Sequence, residues 1–192
     1  MLNMALFISG SGSNLQAIID NIHETNVPAE IRFILSDNKN AKGIERGKKH
    51  KIDTHVIEKT MSMDYNRDKI IKLLDEYKID LIVLAGFLSI LDEKIIKLYG
   101  KKIINIHPSL IPKYCGRGFY GEKVHKAVIE NKEKTTGATV HFVDEGIDTG
   151  PIIRQKVCNV YEDDTVETVK NRVLKIEHEI LVDVIKEFCE GE

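Results

Sequence analysis

The apolar run DLIVLAG, residues 80–86, constrains the fold of this chain more than any other stretch of its sequence. The run is far shorter than a membrane span, and it lacks the polar–apolar alternation of a strand with one solvent-exposed face. Such short uninterrupted runs are typical of strands that are buried on both faces of a parallel sheet. Parallel strands need long crossover connections, so helices are expected on either side of the run.

The rest of the chain alternates between strand-like and helix-like segments. Near the N-terminus, Leu15, Ile18, Ile19 and Ile22 recur at the spacing of an apolar helix face. No helix-like segment separates the last two strands, so that end of the sheet is expected to turn antiparallel. Strands are predicted at residues 4–9, 30–36, 54–58, 80–86, 101–106, 138–143 and 151–160, and helices at 13–24, 41–50, 64–78, 92–100, 121–131 and 165–189.

This order of elements predicts an α/β fold in a single domain over residues 1–192. The central sheet is expected to be doubly wound and mostly parallel, with a Rossmann-like N-terminal half and an antiparallel element near the C-terminal half. Ligands of such sheets bind beyond the carboxyl ends of the strands. Three unusual stretches follow predicted strands here, namely SGSGSN at 9–14, AGFLSIL at 85–91 and NIHPS at 105–109.

Composition argues against several classes of function. The 192 residues are 42% hydrophobic and 30% charged, with a net charge of -2, which suits a soluble globular domain and leaves no basic face for nucleic acid. Neither a signal peptide nor an apolar segment of membrane-spanning length is found, so a cytoplasmic location without membrane contact is expected. The three scattered cysteines are expected to be reduced thiols, and the seven histidines lack metal-ligand spacing, so no metal is expected.

The stretch SGSGSNLQ, residues 9–16, follows the first predicted strand and opens the first helix. Gly10 and Gly12 can direct backbone N–H groups at an anion, and the helix N-terminus adds free donors. A dinucleotide fingerprint fails because Leu15 occupies its third glycine position, and the Gly-Lys-Ser/Thr of a triphosphate loop is missing. The loop therefore suggests a monophosphate site, with a plain strand-to-helix turn as the alternative.

The strand predicted at 101–106 ends in polar residues. Residues i and i+2 of a strand point to the same face, so Asn105 and His107 project together, and Pro108 then ends the ladder. An amide and an imidazole directed at one point can hold a developing oxyanion, and the imidazole can also deliver a proton to a leaving group. The alternative is a strand end whose polar side chains satisfy nearby loop backbone. Ser109 and Cys115 lack the setting of a catalytic nucleophile.

A histidine in that role needs an acid to orient and charge it. The loop DEGIDTG, residues 144–150, offers Asp144, Glu145 and Asp148, and the residues alone do not choose among them. A fourth acid, Glu177, falls within the apolar stripe of the last helix, where an unpaired carboxylate is costly. We expect it either to contact a hydroxyl or amine of a ligand or to form a buried salt bridge with a lysine.

Five stretches resemble, in order, the signature stretches of the phosphoribosylglycinamide formyltransferases. They are FISGSGSNLQAIID, LIVLAGFLSIL, INIHPSLIPKYCG, TVHFVDEGIDTGPII and RVLKIEHEI, and together they extend over nearly the whole chain. The resemblance implies that the formyl group of 10-formyltetrahydrofolate passes to the amine of glycinamide ribonucleotide in de novo purine synthesis. The partners would be these two small molecules, without a metal, and the chain would be a monomer or a homodimer.

The resemblance also assigns roles by position. Asn105, His107 and Asp148 are implied as a catalytic trio: His107 protonates the departing folate nitrogen, Asn105 holds the tetrahedral oxyanion, and Asp148 keeps His107 charged and oriented. Residues 1–106 would form the phosphate-binding half and residues 107–192 the catalytic and folate-binding half. The implied contacts to the acceptor substrate are Gly12, Ser13, Asn14, Pro108 and Glu177, with the phosphate at the first three. The implied folate contacts are Leu88, Ser89, Ile90, Leu91, Asn105, Val143, Asp144 and Asp148.

The sequence departs from the family pattern near the expected folate tail. Ser89 stands where relatives often carry Arg, and the stretch CGRGFYGEKVH is longer than in compact relatives, so Arg117 or Lys123 is a candidate replacement. The chain also ends soon after its last helix, so a C-terminal extension found in relatives is expected to be absent. The alternatives are a formyltransferase for another amine, a formyltetrahydrofolate hydrolase, and a non-catalytic sensor of folate or nucleotide.

Overall fold

A computed structural model describes residues 1–25, 27–58 and 61–191, and its elements follow the predicted order. The strands are β1 (Leu2–Ile8), β2 (Ala29–Ser36), β3 (Asp53–Val56), β4 (Leu81–Leu84), β5 (Ile103–His107), β6 (Thr135–Phe142) and β7 (Ile152–Asn159). The α-helices are α1 (Ser13–Thr25), α2 (Lys42–Lys49), α3 (Met63–Glu76), α4 (Glu93–Tyr99), α5 (Glu122–Glu130) and α6 (Val166–Glu190).

In the described part of the chain the strands form one seven-stranded sheet in the order β3-β2-β1-β4-β5-β6-β7. Neighbouring strands are parallel from β3 across to β5, whereas β6 is antiparallel to both β5 and β7. The predicted fold class is therefore confirmed, including the antiparallel end of the sheet. The strand order reverses at β1, whose neighbours β2 and β4 lead to opposite edges, and an open α/β sheet leaves a crevice for ligands at such a point.

Helices cover both faces of the sheet because its central strands are apolar on both faces. In β1, Met4, Leu6 and Ile8 pack in the layer of α1, α2, α5 and α6, while Ala5 and Phe7 pack in the layer of α3 and α4. All five side chains are fully buried. Burying a Leu, Ile, Met or Phe side chain contributes roughly 1.5–3 kcal/mol, so the centre of the sheet is a rigid base for the loops at its edge.

The apolar run that predicted a buried parallel strand forms β4, but the strand ends two residues earlier than predicted. Ala85 and Gly86 leave the strand, and Gly86 has φ +79°, a conformation that favours glycine. The carbonyl of Gly86 accepts a hydrogen bond from the N–H of Ser9 at 3.1 Å. This bond joins the loop after β4 to the loop after β1, so two of the three unusual stretches meet at the reversal point.

The structure extends β5 one residue beyond the prediction and begins β6 three residues before it. The extension of β5 follows from its antiparallel ladder with β6, in which Asn105 pairs with His141 and His107 pairs with Thr139. The early start of β6 follows from its ladder with β7, where Thr135 pairs with Asn159. Pro108 then ends β5, as predicted. Asn105 and His107 therefore lie within the sheet, at the carboxyl end of β5, and not in a loop. Their places in the ladder fix the direction of both side chains.

Candidate active site

A cavity of about 570 Å³ opens beyond the carboxyl ends of β4 and β5. Three groups of residues line it. The first is β5 with Asn105, His107 and Pro108; the second is an apolar group from the loops that follow β4 and β6; and the third is a polar group from the loop after β1, from α5 and from α6. The cavity thus has an apolar compartment and a polar compartment. Asn105 and His107 of β5 line the cavity together with the residues of both compartments.

The structure brings Asn105, His107 and Asp148 together, as the sequence reasoning predicted. One Asp148 oxygen, Oδ2, lies 3.5 Å from Nδ1 of His107, and the other, Oδ1, lies 3.4 Å from Nδ2 of Asn105. Asp148 has φ +58°, in the left-handed region that Asp and Asn enter more readily than other non-glycine residues. The backbone N–H of Gly116 donates to Oδ2 at 3.0 Å and so fixes the carboxylate.

The other two acids of the same loop are directed elsewhere. Asp144 Oδ1 accepts from the N–H of Gly146 at 3.1 Å and from the hydroxyl of Thr149 at 2.6 Å, so this side chain closes the loop on itself. Glu145 is exposed and lies 3.4 Å from Lys97. The choice that the sequence left open among three acids falls on Asp148, because it alone of the three pairs with His107 within the described residues.

His107 is only 4% exposed, and each of its ring nitrogens faces an oxygen. Nε2 lies 2.9 Å from the carbonyl oxygen of Tyr114, which can only accept, so Nε2 carries a proton. Nδ1 faces Asp148. Burial lowers the pKa of His107 below its ordinary value, whereas the Asp148 charge and the Tyr114 carbonyl oppose that effect by favouring the protonated ring. Only Nδ1 is therefore placed to take up and release a proton.

Asp148 itself remains ionised near neutral pH. Burial would raise the pKa of Asp148, but the neighbouring His141, the charge on His107 and the Gly116 N–H together bring this pKa below its ordinary value. The implied role of Asp148 in orienting His107 fits this arrangement. Asp148 was also expected to keep His107 charged. In the free protein, however, burial lowers the pKa of His107 more than the charge of Asp148 raises it.

His141 on β6 belongs to this cluster, and the sequence reasoning missed it. Its Nδ1 donates to the carbonyl oxygen of Phe142 at 2.7 Å, and its Nε2 lies 3.1 Å from the amide nitrogen of Asn105 and 3.6 Å from Oδ1 of Asp148. The second N–H of that amide points to Asp148 at 3.4 Å. One signal was available, namely a single imidazole within the mostly apolar stretch ATVHFV.

The Gly/Ser loop joins β1 to α1, as both the monophosphate site and the plain turn require. The carbonyl of Gly12 accepts from the N–H of Gln16 at 2.9 Å, so Gly12 occupies the position just before the helix, and the N–H groups of the first turn lack intrahelical partners. Gly12 has φ +70°, and a Cβ on it would lie 2.7 Å from the backbone of Gly43 in α2. Ser13 lines the cavity, together with Ser11.

Asn14 and Glu177 meet in the interior, far apart in the sequence. Nδ2 of Asn14 donates to Oε2 of Glu177 at 2.8 Å, and none of the ion pairs among the described residues includes Glu177. The salt bridge to a lysine that the sequence left open is therefore absent from the described part of the chain. Glu177 lines the cavity although it is only 8% exposed, and burial raises its pKa to about 7 despite the Asn14 bond.

The residues expected at the folate site all line the cavity. They are Leu88, Ser89, Ile90, Leu91, Asn105, Val143, Asp144 and Asp148. Leu88 and Ile90 are exposed at the mouth, whereas Leu91 is buried. The backbone N–H of Leu88 donates to the hydroxyl of Ser9 at 2.8 Å, which holds this loop against the Gly/Ser loop.

The two candidate replacements for the missing arginine differ in position, since Arg117 lines the cavity and Lys123 does not. The hydroxyl of Ser89 donates to the buried carboxylate of Asp37 at 2.6 Å, so this position is turned inward. Lys123 donates to the hydroxyl of Tyr120 at 2.8 Å and lies over the ring of the same residue, outside the cavity lining. Arg117 does line the cavity, in a loop whose glycines at 116, 118 and 121 all have positive φ.

The described residues contain no group of three or more His, Cys, Asp or Glu side chains arranged to hold a metal ion. Within the same residues, no helix is long and apolar enough to cross a membrane.

Comparison with known proteins defines the class. A family model described as formyl transferase matches residues 2–185. Phosphoribosylglycinamide formyltransferase of Bacillus subtilis is 39% identical over 97% of this chain and 94% of its own length, and the chloroplastic enzyme of Arabidopsis thaliana is 35% identical over 97% of this chain and 65% of its own. The crystal structure of glycinamide ribonucleotide transformylase 1 from Symbiobacterium toebii has a TM-score of 0.92 at 35% identity, covering 100% of this chain and 89% of that one.

The chain therefore belongs to the formyl transferase family, and within it to the phosphoribosylglycinamide formyltransferases. A formyltetrahydrofolate deformylase from Pseudomonas syringae has a TM-score of 0.88 at 23% identity, which shows a shared fold alone.

Proposed function

We propose that this protein transfers the formyl group of 10-formyltetrahydrofolate to the primary amine of glycinamide ribonucleotide, in de novo purine synthesis. The single observation that carries the proposal is the position of the Asn105–His107–Asp148 cluster, between a helix N-terminus suited to a phosphate and an apolar compartment suited to a flat ring. Formyl transfer requires both substrates in one cavity, with the amine against the formyl carbon.

The donor fits the apolar compartment. The loop after β4 and the loop after β6 bring Leu88, Ile90 and Val143 to the cavity, and apolar walls of this kind suit a pterin. A folate also carries glutamate carboxylates, and Arg117 is our candidate for their partner at the cavity lining. The donor supplies the activated formyl group, and the side chains of this chain bind it, orient it and manage the proton.

The acceptor fits the polar compartment. A phosphate on the first turn of α1 would be held by free backbone N–H groups at Gly12, Ser13 and Asn14 and by the positive end of the helix. Glu177 would accept hydrogen bonds from the ribose hydroxyls, and Pro108 would border the glycinamide. Residues on both sides of position 106 line the cavity, with Leu88 and Ile90 on the donor side and Glu177 on the acceptor side, so neither proposed half would hold a complete substrate site.

The chemistry follows from the protonation of the cluster. The amine attacks the formyl carbon, and the carbonyl oxygen becomes an oxyanion that the Asn105 amide would stabilise through its longer, weaker N–H contact, the one now made to Asp148 at 3.4 Å. Nδ1 of His107 would accept the proton that the amine loses and deliver it to the departing folate nitrogen. Asp148 stabilises the ring while it carries that proton.

The test is a formyl-transfer assay with purified protein and both substrates. Replacing His107 with Ala is expected to lower kcat by roughly 10²–10⁴-fold, the usual contribution of a general acid–base group. His23→Ala is the matched control, since His23 is exposed on α1 and does not line the cavity. A His107→Ala variant with near-normal turnover would remove His107 from the mechanism.

The same assay separates the alternatives. A hydrolase would release formate from the donor without any amine, and a formyltransferase for another amine would turn over that amine in preference to glycinamide ribonucleotide. A sensor would bind one or both ligands without turnover. We also propose a cytoplasmic location, for which the unpaired thiols of Cys115, Cys158 and Cys189 are suited, and a monomer or homodimer as the active form.

A further inference from the structure

A third histidine lines the active-site cavity without a role in the mechanism above. His125 lies on α5 and is only 3% exposed, yet its ring forms part of the cavity lining. Neither ring nitrogen makes a hydrogen bond to another described residue, and Nδ1 is completely buried. Buried polar groups in folded proteins almost always have partners, so an unpartnered imidazole on a cavity surface indicates a partner that arrives with the ligand.

The surroundings of His125 keep its ring uncharged. Burial is the main cause that lowers the pKa of His125 to about 4; Lys170 and His107 act in the same direction, while Glu122 and Glu167 oppose them. A neutral imidazole has one N–H donor and one acceptor nitrogen. Because Nδ1 is enclosed, a ligand in the cavity can reach only Nε2, and this nitrogen is a donor in the tautomer that carries the proton there.

The position of His125 indicates which of the two substrates it would contact. The cavity residues Phe87, Leu91 and Val143 of the apolar compartment pack in the layer of α3 and α4. His125 belongs to the opposite layer, where α5 packs against α6 and Glu177 of α6 is tied to Asn14 beside the phosphate loop. The ring of His125 therefore lines the polar compartment, in which we place the acceptor substrate.

We propose that His125 is a further specificity-determining residue, which donates a hydrogen bond from Nε2 to an uncharged oxygen in the ribosylglycinamide part of the acceptor. This inference rests on the function proposed above. The phosphate is already matched by the helix N-terminus, and a neutral donor suits a ribose hydroxyl or an amide carbonyl better than an anion. A site built to hydrogen-bond a substrate oxygen also disfavours analogues that lack it, since the donor would then stay buried and unpaired.

The inference is tested with steady-state kinetics on three variants. His125→Leu removes the donor at similar bulk, and we expect it to raise the KM for glycinamide ribonucleotide by roughly 3- to 10-fold, the equivalent of one neutral hydrogen bond, with the KM for 10-formyltetrahydrofolate unchanged. His125→Gln keeps an N–H donor at similar reach and should recover part of this loss. Val128→Ala, one turn later on the buried face of α5 and outside the cavity lining, controls for loosening of the helix.

The outcomes are distinguishable. An unchanged KM for the acceptor in His125→Leu, or an equal rise for both substrates, would overturn the inference, and so would the same rise in Val128→Ala. If His125→Leu does not fold, the unmodified protein supplies the test, since the ¹⁵N resonance of His125 Nε2 must shift when glycinamide ribonucleotide saturates the site, and an unshifted resonance refutes the contact. Absence of turnover in the unmodified protein would instead refute the proposed function.

Discussion

Replacing Glu177 with Gln tests the energetic cost of a carboxylate that is buried for function. Glu177 is 8% exposed, and it accepts a hydrogen bond from Asn14 at 2.8 Å. Burial raises its pKa from the ordinary 4.5 to about 7. Gln keeps the oxygen that accepts from Asn14 and removes the charge, so the substitution isolates the cost of ionisation.

The sign and size of the effect follow from proton linkage. Between pH 4.5 and pH 7 the unfolded chain has released a proton that the folded protein still binds, so the free energy of unfolding falls as pH rises through this window and levels off above it. A difference of about 2.5 between the two pKa values corresponds to about 3 kcal/mol. We expect Glu177→Gln to be more stable than the unmodified protein by up to about 3 kcal/mol at pH 8, and by only about 1 kcal/mol at pH 5.

Urea denaturation of both proteins at pH 5 and pH 8 measures this difference, and acceptor kinetics measure its functional side. The KM for glycinamide ribonucleotide should rise in the variant, because a neutral amide accepts hydroxyl hydrogen bonds less strongly than a carboxylate. Glu179→Gln is the matched control, since Glu179 is exposed on the same helix and paired with Lys156. A gain in stability that is equal at both pH values, or a loss at pH 8, would refute the reasoning.

Three further predictions concern the loops around the cavity. Gly12→Ala is expected to lower the free energy of unfolding by about 1–3 kcal/mol and to raise the KM for the acceptor, because φ of Gly12 is +70° and a Cβ would lie 2.7 Å from the backbone of Gly43. Gly10→Ala is the control, since it has open space around it and should change neither quantity in urea denaturation and acceptor kinetics. Asp148→Asn keeps a residue that tolerates φ +58° but removes the charge, so kcat should fall by roughly 10²–10³-fold. The pH–rate profile should also move to lower pH, because the pKa of His107 drops without the Asp148 charge, and an unmoved profile contradicts this. Arg117→Ala should raise the KM for 10-formyltetrahydrofolate by about 5-fold and weaken its salt dependence, which kinetics at two ionic strengths would show or exclude.

Local patterns were sufficient for much of the fold and for part of the site. Strand parity alone placed Asn105 and His107 on one face, because a period of two depends only on neighbouring residues. The helical stripe placed Glu177 in the interior for the same kind of reason. The choice of Asp148 needed more, since it depends on a loop whose left-handed residue directs the side chain to His107, 41 positions earlier.

Contacts between distant segments could not be predicted from spacing. His141 faces Asn105 only because of the register of the β5–β6 ladder, and a register shifted by one residue would turn it to the other face. Glu177 meets Asn14 across 163 positions, where the sequence left open a ligand group or a lysine as its partner. The compartment of His125 follows from which helices share a layer, and no local pattern in the sequence contains that information.

The hydrogen bond between His107 and the Tyr114 carbonyl has a consequence for the proton balance of a whole turnover. In the proposed reaction the amine nitrogen loses one proton and the folate nitrogen gains one, so nothing is exchanged with bulk water from start to finish. The hydrogen bond from Nε2 to the Tyr114 carbonyl at 2.9 Å favours one orientation of the ring, with Nδ1 towards Asp148. A carrier that returns to its starting form after every cycle needs no net proton from water, so pH enters the rate only through the protonation of the resting cluster.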